Sequence, residues 1–239
     1  MRRMNISIDD VSPHPLSGIG VLDRCFEILA VHPDVKFTLF VPTAYWRTVY
    51  IPGRVDTRTD APLYIYEHPT FCDVLRQLPK ANFEIGFHGR HHGIPGVSNN
   101  DEMRNIDTHA FLSLVDSMRY DVTMAKLDTT FKSILRPPAM YMNSEVVPAA
   151  ANEFSCLALS PRPLHTSGYG DVSYLKNIVY ANVWIPDDDL SVATGDIELL
   201  YHACEWDDGY LNEKRTQELM TFLDIHRGEF EYSFMEEMI

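Results

Sequence analysis

Asn5-Ile6-Ser7-Ile8-Asp9-Asp10 is an apolar, strand-like segment that ends in two adjacent acids. A second such run, Phe83-Glu84-Ile85-Gly86-Phe87, continues directly into His88-Gly89-Arg90-His91-His92. Carboxylates and imidazoles at the ends of strands are typical ligands of one divalent metal ion, and a spare carboxylate beside such an ion can take a proton from water. The two segments together therefore predict a metal site where two strands end.

Composition limits the class of partner. The 239 residues carry a formal charge of −14, from 34 acidic and 20 basic residues, and 45% of them are hydrophobic. A chain of this kind can bury a substantial core. Its negative balance, with no Lys/Arg-rich block, argues against nucleic acid as a partner. The uncharged run Phe37 to Trp46 is too short to cross a bilayer, so we also predict no integral membrane segment.

The cysteines and the N-terminal residues bear on location. Asp9 and Asp10 follow Met1-Arg2-Arg3 too closely to leave room for the apolar segment of a signal peptide. The cysteines stand singly, as is typical of unpaired thiols in a reducing compartment. We therefore predict a cytoplasmic protein with four free thiols: Cys25, Cys72, Cys156 and Cys204.

Short β-rich runs alternate with longer amphipathic segments, which is typical of an α/β sheet or barrel. Without an internal repeat or a flexible linker, one domain over residues 1–239 is predicted. The predicted strands are Asn5–Ile8, Val35–Val41, Phe83–Phe87, Ile134–Leu135, Cys156–Leu159, Ile178–Trp184 and Ile197–Tyr201. Helical spacing of apolar residues predicts helices over Gly18–Val31, Thr70–Leu78, Thr108–Phe131, Ser144–Phe154 and Glu213–Arg227.

The histidine cluster allows two pairings. His88 and His92 are four residues apart, a spacing that puts both rings on one side of a helical turn and suits one zinc ion. His91, at spacing three from His88, competes for the same role. Spacing alone leaves both pairings open. Asp9-Asp10 likewise has a simpler alternative, as a polar cap where a strand ends.

Two further residues are candidate catalytic groups only if other reactive side chains lie near them. Arg136 precedes Pro137-Pro138, which stiffen the backbone and would hold the guanidinium ready to orient a carboxylate. His202 follows the apolar run Leu199-Leu200-Tyr201 and is a candidate general acid if other reactive groups face it. Considered singly, each is more often a surface arginine or a structural histidine.

Considered in chain order, these segments resemble the motif series of one family. Ser7-Ile8-Asp9-Asp10, His88-Gly89-Arg90-His91-His92, Arg136-Pro137-Pro138 and Leu200-Tyr201-His202 look like the motifs of the polysaccharide deacetylases, the NodB-like metal-dependent carbohydrate esterases. The resemblance covers residues 5 to about 235. It implies a distorted (β/α) barrel with fewer than eight parallel strands. It also implies one divalent metal ion, with zinc as the expected ion.

The resemblance implies a role at each matching position. Asp9 matches the catalytic base, Arg136 the arginine that pairs with the base, and His202 the histidine that protonates the leaving amine. His92 is favoured over His91, because the implied metal ligands are Asp10, His88 and His92.

The residues expected around the substrate depart from the family pattern. The aromatic residue and glycine that commonly follow the arginine-proline-proline motif are replaced by Ala139-Met140. A backbone N–H in the Ala139 region would still serve as a donor to an oxyanion. The family's acid–aromatic segment has its candidate counterpart at Trp184 with Asp187–Asp189. The predicted substrate-binding residues are therefore Ala139, Tyr141 and Trp184.

The predicted function is metal-dependent removal of an N-acetyl group from an acetamido sugar. The cytoplasmic location suggests a nucleotide-linked or lipid-linked precursor of a bacterial surface polysaccharide such as lipopolysaccharide. Two alternatives stay open: a degenerate relative that binds carbohydrate without hydrolysing it, and a related hydrolase of O-acetyl esters or formamides. The pair Asp9 and His202 favours an enzyme, because a binding protein needs neither base nor acid.

Overall fold

The chain alternates strands and helices, and its computed structural model describes residues 1–190 and 194–239. The strands are β1 (Arg2–Asp9), β2 (Phe37–Val41), β3 (Ala44–Tyr45), β4 (Leu63–Tyr64), β5 (Phe83–Phe87), β6 (Phe131–Leu135), β7 (Cys156–Leu159), β8 (Ile178–Tyr180), β9 (Val183–Trp184), β10 (Ile197–His202) and β11 (Phe230–Tyr232). The helices are α1 (Val21–Val31), α2 (Pro69–Gln77), α3 (Thr108–Met124), α4 (Val147–Glu153), α5 (Pro163–Tyr169) and α6 (Glu213–Ile225).

One curled parallel sheet organises the molecule. Its strand order is β8-β7-β6-β5-β2-β1-β10-β9, and the short β11 also pairs with β1 in parallel. The predicted α/β class is confirmed, and the curled parallel sheet is consistent with the expected distorted (β/α) barrel, but the expectation of fewer than eight strands is wrong. It failed because the predicted strand Ile178–Trp184 is divided into β8 and β9, and because β11 was not predicted.

The junction between β8 and β9 explains why the sheet curls. These strands lie at opposite ends of the strand order, yet only Ala181 and Asn182 separate them. Three residue steps span at most roughly 11 Å, so the two edges must approach each other at this point. Asn182 secures the junction, since its Oδ1 accepts from the N–H of Glu198 at 2.9 Å and its Nδ2 donates to the carbonyl of Asp196 at 2.8 Å.

Strand β1 separates an apolar layer from a polar interior. Successive side chains of a strand point to opposite faces. Ile6 and Ile8 belong to the hydrophobic core that the sheet shares with the helices. Asn5, Ser7 and Asp9 instead contact polar side chains of other strands. The inside of the curl is thus partly polar, and its polar residues lead up to the carboxyl end of the sheet.

The predicted helices are found with altered bounds. The predicted helix Thr108–Phe131 ends as α3 at Met124, because Lys126 adopts a left-handed conformation (φ 58°) and Phe131 already begins β6. Helix α5 was not predicted. All four cysteines are unpaired, as expected. None of the helices within residues 1–190 and 194–239 has the length and hydrophobicity that a bilayer crossing requires.

Candidate active site

The candidate side chains meet at the carboxyl end of the sheet. Asp9 is the last residue of β1 and lies in register with His202, the last residue of β10. His88 and Arg136 directly follow β5 and β6. The carboxyl ends of parallel strands share one edge, and loops that leave this edge converge. Residues far apart in the sequence are thereby brought into one site.

A cavity of about 650 Å³ opens at this edge. Eight of the nine residues predicted for the site line it, while Arg136 is fully buried and contacts Asp9. A larger depression of about 970 Å³ lies against α6, but none of the nine predicted site residues lines it, so size does not identify the site. The eight lining residues are Asp9, Asp10, His88, His92, Ala139, Tyr141, Trp184 and His202.

Asp10, His88 and His92 form a buried group that can hold one metal ion. Their ligand atoms all lie within 4.8 Å of one another. Oδ1 of Asp10 is 3.1 Å from Nε2 of His92 and 3.6 Å from Nε2 of His88. Within the part of the chain that the structure describes, this buried oxygen has no hydrogen-bond donor. Two imidazoles and an unsatisfied carboxylate oxygen that face one point fit a divalent cation.

Backbone carbonyls set the orientation of both imidazoles. Nδ1 of His88 is 2.9 Å from the carbonyl oxygen of Arg136, and Nδ1 of His92 is 2.7 Å from that of Asn99. Because a carbonyl only accepts, these contacts assign the proton to Nδ1 and leave the Nε2 lone pairs facing Asp10. Burial lowers the pKa of His92 to about 4, so this ring is neutral near pH 7, as a metal ligand must be.

His91 lies apart from this group. Its Nδ1 is 2.8 Å from the carbonyl oxygen of Ala44, and its ring packs edge-on against Trp46 at 5.7 Å between centroids. Of the two pairings that the spacing left open, the structure brings His92, and not His91, to Asp10 and His88.

Glu102, which was not predicted, holds the histidine loop in place. Its carboxylate accepts from three consecutive backbone N–H groups, those of residues 90–92, at 2.7 to 3.3 Å. These bonds support the left-handed conformation of His92 (φ 69°), which is uncommon for a residue other than glycine. A Cβ atom at Gly89 would overlap the Glu102 carboxylate and Pro138, so this approach requires glycine.

Arg136 lies between two buried carboxylates. Its Nη1 donates to Oδ1 of Asp9 at 2.7 Å, and its Nη2 forms a 2.8 Å ion pair with Oε1 of Glu198. The second oxygen of Asp9 lies 3.8 Å from Nε2 of His88, beside the candidate metal ligands. Burial raises the pKa of Glu198, although the Arg136 charge acts in the opposite direction. Glu198 was missed, and its only signal was an acid within the apolar run Ile197-Glu198-Leu199-Leu200.

His202 faces a carboxylate from the loop that follows its own strand. Its Nδ1 lies 3.3 Å from Oδ1 of Asp207, and about 24% of its side chain is exposed. Gly209 allows this approach, since a Cβ there would lie 2.8 Å from Nδ1 of His202. An imidazole that faces a carboxylate at one nitrogen and is partly open to the cavity is suited to proton transfer. Sequence reasoning found His202 but not Asp207.

Cys204 contacts the candidate metal ligand from the side away from the histidines. Its Sγ donates to Oδ2 of Asp10 at 3.1 Å and also lies 3.1 Å from Oγ of Ser17. The Ser17 hydroxyl in turn donates to the backbone oxygen of Asp10 at 2.7 Å. The thiol therefore donates a hydrogen bond to Oδ2 of Asp10, while Oδ1 faces His88 and His92.

The residues expected to bind substrate stand in the cavity wall beside arginines. Arg104 lies 3.3 Å above the ring of Tyr141, and Arg162 lies 4.2 Å above the ring of Trp184. One face of each aromatic ring is thereby covered. Ala139 adopts a left-handed conformation (φ 47°) in a 3₁₀ turn, a strained geometry of the kind found at functional sites.

Solved structures show that this fold is shared with known carbohydrate deacetylases. A mutant of a CE4 family pseudoenzyme with restored enzymatic activity matches with 17% identity and a TM-score of 0.56, over 97% of this chain and 65% of that chain. A family 4 carbohydrate esterase from Streptomyces lividans, in complex with acetate, matches with 13% identity and a TM-score of 0.57, over 98% and 92% of the two chains.

A peptidoglycan N-acetylglucosamine deacetylase also matches, with 12% identity and a TM-score of 0.56, over 96% of this chain and 85% of that one. Of the pseudoenzyme mutant described above, this chain spans a little under two thirds of the length. No family model matches the sequence, and no curated protein matches it. At these identities the matches establish the CE4 polysaccharide deacetylase fold over nearly the whole chain.

Proposed function

We propose that this protein is a metal-dependent N-deacetylase that hydrolyses the acetamide of an acetamido sugar. One observation carries the proposal: the Asp10, His88 and His92 group, Asp9 and His202 line the same cavity, and the buried Arg136 pairs with Asp9 from behind. A metal group, a carboxylate and an imidazole are the parts that hydrolysis of an amide requires. The fold that the chain shares with carbohydrate deacetylases supports the same conclusion.

Each side chain has a distinct task in this mechanism. Asp10, His88 and His92 would hold one divalent ion, expected to be zinc, which supplies polarisation of the acetamide carbonyl and a lowered pKa for water. Asp9 accepts the proton of the attacking water at Oδ2, since Arg136 occupies its Oδ1. His202 gives a proton to the leaving amine from Nε2, because its Nδ1 faces Asp207.

The proposal extends to substrate and setting. The proposed substrates are nucleotide-linked or lipid-linked acetamido sugars, or glycan intermediates, in the biosynthesis of a bacterial surface polysaccharide such as lipopolysaccharide. The proposed location is the cytoplasm, with residues 1–239 acting as one catalytic domain. The resemblance to the polysaccharide deacetylases supports the acetamido sugar, and the unpaired cysteines support a reducing compartment such as the cytoplasm.

Carbohydrate binding without hydrolysis is the second candidate, because one of the similar structures is a mutant of a pseudoenzyme. In this chain the candidate base and acid both line the cavity, and each has a charged partner: Arg136 for Asp9 and Asp207 for His202. A binding protein has no need of two such pairs, which favours the enzyme.

Metal analysis combined with acetate release tests the proposal. The purified protein should contain about one divalent metal ion per chain and should release acetate from at least one member of a panel of acetamido sugars. Removal of the metal by a chelator should stop the release, and addition of zinc should restore it. Bound metal without hydrolysis of any acetamido sugar, acetyl ester or formamide, assayed as release of acetate or formate, would support the binding protein instead.

A further inference from the structure

Two arginines differ from all the others in this chain. Twelve of the fourteen form an ion pair with an aspartate or glutamate. Within residues 1–190 and 194–239, which include every arginine, Arg47 and Arg54 have no carboxylate within 4.0 Å. Both line the cavity that contains the candidate metal ligands. In a protein of charge −14, unpaired guanidinium groups are thus confined to this cavity.

Arg47 is held firmly without being neutralised. It is only 5% exposed, its Nε donates to Oγ1 of Thr57 at 2.9 Å, and its Nη1 donates to the hydroxyl of Tyr45 at 3.3 Å. Its guanidinium lies 4.8 Å above the ring of Trp206. None of these three neighbours is a carboxylate. A buried arginine is almost always in contact with an anion, whereas no carboxylate of the described residues contacts this one.

Other charges of the cavity do not fill that role. The cavity is also lined by the carboxylates of residues 9, 10, 187, 207 and 208, but none of them lies within 4.0 Å of Arg47 or Arg54 in the described residues. Asp10 acts on Arg47 only at longer range and faces His92, and Asp207 faces His202. Arg162 shows how a neutralised cation of the same wall is arranged. It forms ion pairs of 2.8 and 2.9 Å with the carboxylates of residues 187 and 188.

We infer that Arg47 and Arg54 form an anion subsite, and that the substrate carries an acidic group on or next to its acetamido sugar. The inference rests on the proposed function for the sugar itself. The group is a phosphate, a diphosphate or a carboxylate, each of which presents oxygens to the fork of an arginine. Neutral oligomers of N-acetylglucosamine would leave the subsite empty and are therefore poor substrates.

Substrates that share one acetamido sugar but carry a charged or an uncharged anomeric substituent test the anion subsite. The rate of acetate release is compared for N-acetylglucosamine 1-phosphate and the uncharged methyl glycoside of the same sugar. The wild-type kcat/KM should be ~10- to 100-fold higher for the phosphate, the range expected of charge-assisted hydrogen bonds. Arg54→Gln and Arg47→Met should remove most of this preference by raising KM for the phosphate. The corresponding UDP-linked sugar and N-acetylglucosaminuronic acid distinguish a diphosphate from a carboxylate.

The controls separate this inference from the proposed function. Arg54 is exposed, so Arg54→Gln tests the subsite even where Arg47→Met fails to fold. Arg162→Gln removes a cation that is already neutralised, and it should change kcat/KM for the charged and uncharged sugars by the same factor. Equal wild-type turnover of both sugars would overturn the anion subsite while leaving the deacetylase in place.

A protein that releases no acetate is examined by calorimetry. N-acetylglucosamine 1-phosphate should then bind more tightly than the methyl glycoside, and Arg54→Gln should abolish the difference. Equal affinities of the wild type for the two sugars would overturn the subsite, whereas the missing acetate release by itself counts only against the proposed function.

Discussion

Arg136 and His88 are joined by a 2.9 Å contact between the backbone oxygen of the arginine and Nδ1 of the histidine. The side chain of the same arginine donates to Asp9 at 2.7 Å. One residue therefore orients a candidate metal ligand through its main chain and the candidate base through its guanidinium. Because the carbonyl survives a change of side chain, mutation can separate the two effects.

Arg136→Met should destabilise the fold strongly while leaving the main-chain contact to His88 available. The substitution would leave the buried carboxylates of Asp9 and Glu198 without a cationic partner. Loss of one partner from a buried ion pair lowers the free energy of unfolding by about 3–5 kcal/mol. Chemical unfolding measures the loss. The double variant Arg136→Met/Glu198→Gln should recover part of it, because one buried charge has been removed. A wild-type unfolding midpoint for Arg136→Met would show that the guanidinium does not compensate these acids.

His92→Ala should lose most of its bound metal, whereas His91→Ala should keep it. The reason is that His92 directs Nε2 at Asp10 while His91 binds the Ala44 carbonyl. Metal content per chain after dialysis provides the measurement. The two neighbouring histidines form a matched pair, since both variants remove one imidazole from the same loop. Metal loss in His91→Ala but not in His92→Ala would contradict the ligand assignment.

Much of this site could be predicted, because its ligands are encoded as strand-end motifs. The apolar runs that identify β1 and β5 end at Asp9-Asp10 and at His88, so these three residues could be located from the sequence. Their partners could not be found in the same way. Glu102 lies in a loop without a periodic pattern, and it is linked to residues 90–92 only by folding. Glu198 left a weak signal, as an acid in an apolar strand, but nothing in the sequence pairs it with Arg136.

The error in the strand count has a long-range cause. Ile178–Trp184 is a continuous β-rich run, and local propensity gives no reason to divide it. The break falls at Ala181–Asn182 because the chain there passes from one edge of the sheet to the other. Helix α5 was missed for a local reason, since it has only seven residues and one of them is Gly168, a poor helix former. Closure of a sheet is a property of all its strands, and no single segment reveals it.

Asp9→Asn should retain the metal and lose activity. Asparagine keeps the size of the side chain but cannot accept the proton of the attacking water, and loss of a general base lowers turnover by about 10²–10⁴-fold. Metal content and acetate release are measured on the same preparation. Full activity of this variant on a substrate that the wild type hydrolyses would rule out Asp9 as the base.

Glu84 should make the fold less stable as the pH rises. Burial raises its pKa from 4.5 to about 7, against the hydrogen bonds from the Thr38 hydroxyl and the Met235 N–H. Below pH 4.5 the carboxyl is protonated in both states and costs nothing. Between pH 4.5 and 7 the unfolded chain ionises first, so stability falls, by roughly 3 kcal/mol once the pH exceeds 7.

Glu84→Gln removes this titration while keeping an oxygen for both donors. The variant should unfold at higher urea concentration than the wild type at pH 8 and at nearly the same concentration at pH 4.5. Glu27→Gln, at an exposed ion pair with Arg24, should show no such pH-dependent gain. A gain at pH 4.5 as large as that at pH 8 would mean that packing, and not ionisation, separates the two side chains.

His202→Ala should slow hydrolysis of an acetamide far more than that of an activated acetyl ester. An amine leaves only when protonated, whereas the leaving group of an activated ester scarcely needs a proton, so a lost general acid affects the amide selectively. Asp207→Asn should show the same selectivity to a smaller degree, because it keeps the imidazole but removes the carboxylate 3.3 Å from Nδ1. Rates on the two substrates decide the matter: equal losses in His202→Ala would mean that this histidine only supports the shape of the cavity.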